Sequence, residues 1–115
     1  MAVKLALVVR TDLGTGRGKI AAQVAHAAVT AAQANRDGAG FASWLREGQP
    51  KVVLKVTTGE HLQQVARRAR AGELPVELAH DAGRTQVTPG TATSCAVGPA
   101  DSHRIDAVTG ELPLL

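Results

Sequence analysis

Two stretches of the sequence gather charged and hydroxyl side chains around glycines. In the first, Gly14, Gly16 and Gly18 fall within five residues, with Arg17 and Lys19 interleaved. The second is Asp81-Ala-Gly-Arg84-Thr85-Gln86, followed by Thr88-Pro-Gly-Thr91-Ala-Thr93. A glycine-rich turn that opens a helix leaves backbone N–H groups free at the positive end of the helix dipole, and this attracts anions. The known phosphate loops do not fit. A Walker loop needs Gly where Leu13 stands and Ser or Thr where Ile20 stands. A dinucleotide fingerprint needs its third Gly at the place of Lys19. What remains is a turn with two cations at a helix start, a placement the dipole disfavours and a binding role would explain. Taken alone, it is equally consistent with a solvated lysine on a flexible turn.

The helix after this turn adds a pattern. Lys19, Gln23, His26 and Thr30 fall at i, i+4, i+7 and i+11, a continuous stripe at helical period, and Ala and Val fill most of the other positions. That surround predicts a largely buried helix whose stripe faces water or a site. His26 alone is as well explained by a hydrogen bond inside the core. His26, His61, His80 and His103 share no ligand spacing and have no cysteine near them in sequence, so no metal set is expected. Asp81 follows a predicted strand, where α/β folds place their sites. Thr91 and Thr93 would point to one face of the next strand. The plainer alternative is a β-turn with an Asp cap and ordinary strand threonines. Arg67, Arg68 and Arg70 read as a solvated helix face.

The elements that must position these groups follow from apolar runs and breakers. Strands are predicted at Val3–Val9, Lys51–Val56, Pro75–His80 and Thr91–Val97. Helices are predicted at Lys19–Asn35, Phe41–Glu47 and from Thr58 or Gly59 to Ala71, with a helical turn near Ser102–Val108. The order β-α-α-β-α-β-β implies an α/β layer fold. The short link between the last two strands makes at least one of them antiparallel and the sheet mixed. With 115 residues there is room for a single domain, residues 1–115. Phe41 and Trp44 are the only aromatics, so the core must be Val, Leu, Ile and Ala. The lone Cys95 excludes a disulfide framework and fits a reducing compartment. Met1–Arg10 is too short an apolar run for a signal peptide or membrane span, so a cytoplasmic location is expected. The net charge of +3 is mild and decides nothing by itself.

The string Gly16–Ala28 (GRGKIAAQVAHAA), together with Gly48-Gln-Pro-Lys-Val52, Asp81–Gln86, Pro89-Gly-Thr91 and Gly98-Pro99, resembles the archaeal/eukaryotic-type (type 2) peptidyl-tRNA hydrolases. The likeness runs in the family's own order from about Lys4 to Leu115. It implies a three-layer α/β/α fold with a four-stranded mixed sheet, and cleavage of the ester between a stalled peptide and its tRNA. It also implies no metal, no cofactor, no membrane association, a cytoplasmic setting and a homodimer. By motif match the catalytic residues would be Lys19, Asp81, Thr85 and Thr93. Substrate contacts would fall to Arg17, Gly18, Gln23, His26, Arg84 and Gln86. Arg17, Val24 and Ser94 depart from the family's frequent Lys, Cys and apolar residue, and none is a proposed catalytic position.

The residues themselves limit the chemistry. Ser43, Ser94 and Ser102 are the only serines and none stands in a nucleophile-elbow context, so direct attack by water is the simplest route. Asp81 would deprotonate that water, while Lys19 would hold Asp81 or stabilise the oxyanion. Thr85 and Thr93 would donate to the carbonyl or the ribose hydroxyl. A non-catalytic RNA-binding module would keep the cations but has no use for Asp81, which repels phosphate. Scarce aromatics also count against base stacking. A nucleotide-phosphate binder is weakened by the failed loop patterns.

Overall fold

The computed structural model describes residues 2–80 and 91–115. Asp81, Arg84, Thr85 and Gln86 therefore lie outside the described residues. The chain runs β1 (Val3–Arg10), α1 (Arg17–Ala34), α2 (Ala39–Arg46), β2 (Lys51–Val56), α3 (Gly59–Ala71), β3 (Val76–His80), β4 (Ala92–Asp101) and α4 (Ser102–Thr109). The sheet order is β2-β1-β4-β3. β1 and β2 are parallel, and β4 runs antiparallel to both of its neighbours, so the sheet is mixed as expected.

The apolar run VKLALVV suits β1 to its place as one of the two inner strands, buried on both faces. Its side chains alternate between two cores. Ala6 and Val8 join Leu54, Val56, Cys95 and Val97 under Leu62, Val65 and Ala69 of α3 and Ile105 of α4. Val3, Leu5 and Leu7 meet Ala96, Ala27 and Ala31 of α1, and Trp44 of α2 on the other face. Helices therefore cover both sides, giving the three layers. Burial pushes the Cys95 thiol up to about 12, which leaves it an inert core group at neutral pH.

Caps fix the helix starts. Thr58 Oγ1 accepts from His61 N at 3.0 Å, and Asp101 Oδ1 accepts from the backbone of His103 and Arg104. This second cap turns the expected helical turn into α4. Arg68 keeps the plain role expected of its cluster: it is exposed and donates to Ala107 O, joining α3 to α4.

One expectation is corrected. α1 was expected to be largely buried, yet only Ala27 and Ala31 are. An all-round apolar composition does not bury a helix that lies on one face of a four-stranded sheet. α1 packs chiefly over β4, β3 and β1 and leaves the matching face of β2 open. The result is an apolar trough of about 680 Å³ between Leu7 and Val53 on its floor and Ile20, Val24 and Ala28 on its wall, with Leu115 at the rim. The tail runs along the free edge of β2: Lys55 N donates to Pro113 O at 3.0 Å and Leu115 N donates to Val53 O at 3.1 Å. Covering an edge strand in this way blocks stray pairing.

Candidate active site

Three chain ends meet at one end of the sheet. β1 stops at Arg10 and its turn leads into α1. β4 starts beside it, since Val9 pairs with Ser94. β3 finishes across β4, where His80 pairs with Ala92, immediately before Asp81 in the sequence. These are the carboxyl ends of β1 and β3, where open α/β sheets carry their sites.

The start of α1 has no cap of its own: its N-cap is Gly16, which has no side chain to offer, and no acidic residue stands in its first turn. Gly14 has φ +69°, a conformation that favours glycine. Among the described residues, a Cβ at Gly16 or Gly18 would meet nothing within 4 Å. Arg17 and Gly18 are exposed and Lys19 is half-buried.

The predicted stripe divides. Ala27 and Ala31 face the sheet, and Lys19 and Gln23 extend the same i+4 line toward the end of β1, both half-buried. His26 lies off that line and is exposed, which removes the core hydrogen bond as its explanation. Lys19 and Gln23 are thus carried to the site end by the core contacts of their own helix.

Thr93 is 2% exposed. Across the sheet Ala79 pairs with Ser94 and His80 with Ala92, which leaves Thr93 as the extra residue of a bulge. Bulges near active sites re-aim a side chain. The Thr93 hydroxyl donates to Ala79 O at 3.4 Å, a long and weak bond. Thr91 precedes β4, so the alternation expected of Thr91 and Thr93 does not begin there. Its neighbour Ser94 is buried, and its Oγ has no hydrogen-bond partner.

Arg10, to which sequence reasoning assigned no separate role, ends β1 at the same place. Its side chain is only 15% exposed and grips Asp12 with both arms of the fork, Nε to Oδ1 at 3.0 Å and Nη2 to Oδ2 at 2.7 Å. Its remaining arm, Nη1, donates to Ala92 O at 3.1 Å. The hydrogen bonds to Asp12 raise the Arg10 pKa and, reciprocally, hold the Asp12 carboxyl below its ordinary range. The spacing Arg10-Thr-Asp12 at a strand end was the only signal available.

Residues 3–115 match the family model described as "Peptidyl-tRNA hydrolase PTH2". The chain belongs to that family. It is 50% identical over 113 residues to the peptidyl-tRNA hydrolase of Methanopyrus kandleri, covering 97% of each chain. To that of Metallosphaera sedula it is 48% identical over 117 residues, covering 98% of this chain and all of the relative. To that of Saccharolobus solfataricus the identity is 43% over 119 residues, covering 98% and 99%. The PTH2 resemblance seen in the motifs is therefore borne out over the whole chain. Among the described residues no group of His, Cys, Asp or Glu could hold a metal ion, and no helix is long and apolar enough to cross a membrane.

Proposed function

We propose that the chain hydrolyses the ester bond between peptide and tRNA, freeing the tRNA, with Lys19, Asp81, Thr85 and Thr93 as its reacting groups. The observation that carries this reading is that the end of β1, which leads into the start of α1, lies beside the bulge of β4 that holds the buried Thr93. Asp81 and Thr85 stand in the sequence between the end of β3 and the start of β4.

In this mechanism Asp81 takes the proton of the attacking water, and Lys19 either orients that carboxylate or stabilises the developing oxyanion. Thr85 and Thr93 donate to the carbonyl or the ribose hydroxyl. Arg17 and Arg84 meet phosphates, while Gly18, Gln23, His26 and Gln86 contact the rest of the substrate. The enzyme works without metal or cofactor, in the cytoplasm. It pairs as a homodimer through the open apolar face of α1, where Val29 is 57% exposed. A wild-type chain that light scattering finds monomeric at high concentration would remove the dimer.

The experiment is single-turnover cleavage of peptidyl-tRNA by wild type, Asp81→Asn, Lys19→Ala and the double variant, with thermal melts as a folding control. Asp81→Asn keeps the shape and removes the base, so turnover falls by roughly 10²–10⁴-fold while tRNA binding is kept. The double variant is barely worse than either single one, because groups acting as a unit are not additive. Near-wild-type rates in Asp81→Asn would sink the mechanism. Undiminished tRNA binding by a wild-type chain that cleaves nothing would favour the RNA-binding module instead.

A further inference from the structure

We propose that Arg10 is a positioning residue for the hydrolysis, its guanidinium fixing the Ala92–Thr93 peptide and through it the Thr93 hydroxyl. The proposal rests on the reading of Thr93 as a reacting group. Its warrant is the geometry of the guanidinium. Arginine's planar fork, once gripped at both arms by Asp12, has no freedom of tilt, so the direction of Nη1 is set. Nη1 then holds the carbonyl of Ala92, one half of the peptide unit whose other half is the Thr93 nitrogen. That peptide lies where the β3–β4 register shifts. A bulge leaves its extra residue unpaired and disrupts the ladder locally. Arg10 supplies from β1 the anchor that the regular ladder lacks there.

The chain also reserves space for this side chain. A Cβ on Gly59, the first residue of α3, would lie 2.7 Å from Arg10 Nη1 and 3.0 Å from Cζ. No real Cβ sits that close, so the absence of a side chain at Gly59 is what lets the guanidinium lie there. Gly59 has no positive φ that would otherwise call for glycine. The end of β1, the start of α3 and the start of β4 thus close around one guanidinium. An ion pair serving only the surface needs neither the glycine nor the carbonyl.

Gly59→Ala is the sharpest test, because it pushes the guanidinium aside while leaving every charge and every proposed reacting group in place. Arg10→Lys is the second variant, keeping charge and losing the fork. Single-turnover and steady-state cleavage of peptidyl-tRNA, thermal melts and the NMR resonances of the Thr93 amide and methyl are measured for both. Kcat is expected to fall at least tenfold with KM within about twofold. The melting temperature of Gly59→Ala should hold or rise, since Ala favours a helix over Gly. The Thr93 resonances should move while those of Ala31, at the far end of α1, stay. Wild-type kcat in Gly59→Ala, or unmoved Thr93 resonances, would overturn the proposal. If the wild-type chain itself cleaved nothing, the hydrolase reading would fall, and the Thr93 resonances would still decide whether Arg10 sets this peptide.

Discussion

Replacing Thr93 by Val separates what the hydroxyl does for the fold from what it does for the reaction. Val keeps the β-branch and nearly the volume, so the bulge and its packing stay filled. The single bond lost is the one to Ala79 O, at 3.4 Å. A well-formed hydrogen bond contributes about 0.5–1.5 kcal/mol net, and one this long belongs at or below the low end. The fold should lose less than about 1 kcal/mol, which for a domain of this size lowers Tm by roughly 4 °C at most. If the hydroxyl donates to the oxygen that gains charge in the transition state, the loss in rate is far larger. Removing one such donor costs roughly 10²–10³-fold, or about 2.7–4 kcal/mol. The assay is single-turnover cleavage of peptidyl-tRNA beside a thermal melt, with Thr93→Ser as a control that keeps the hydroxyl. Cleavage by Thr93→Val within about threefold of wild type, with its melt intact, would refute the role. A rate that falls only in step with stability would refute it as well.

Ser94 lies on the opposite side of the same reasoning. Its buried Oγ lacks a partner, so Ser94→Ala should stabilise the chain, by about 1 kcal/mol in a denaturant titration, rather than weaken it. Arg17 is exposed at the start of α1, and Arg17→Ala should reduce the slope of log affinity for tRNA against log salt by about one; an unchanged slope takes Arg17 off the phosphate surface. Asp12 is held below its ordinary pKa by Arg10, so its ionised form favours the fold. That contribution is full above its ordinary value of about 3.9 and is lost as pH falls through the lower folded value. Melts of Asp12→Asn should therefore show a smaller acid-side loss of stability than wild type below about pH 4, and parallel curves would deny the pairing.

The strands and long helices were legible because their signals are local. Lys51–Val56 is bounded as read from its apolar run, and α3 follows the cap at Thr58 and the stop at Gly72. The last strand was expected at Thr91–Val97, short of its observed end at Asp101. The strand continues to Asp101 because Lys4 and Val3 of β1 pair with Ala100 and Asp101. Tertiary pairing overrode local propensity there. The burial of α1 was overestimated because an Ala-rich helix looks apolar on every side, whichever strands it covers. Helical spacing put Lys19 and Gln23 on one line of α1, both half-buried, whereas Thr93 was singled out only by resemblance. The grip of Arg10 on Ala92 could not be read, because it joins residues far apart in sequence at a bulge that no periodicity announces.

The placement of β1 also bears on how the molecule comes into being. Its neighbours are β2, made soon after it, and β4, made only after β2, α3 and β3. Val3 pairs with Asp101, so β1 waits until β4 has been made before its second edge is filled. Contacts this distant in sequence carry a high closure entropy and form slowly compared with helices. Until then an apolar strand keeps an open edge, which is the kind of surface that aggregates or recruits a chaperone. A fragment ending at β3 would share that defect permanently. The fold is thus completed only when β4 closes on β1.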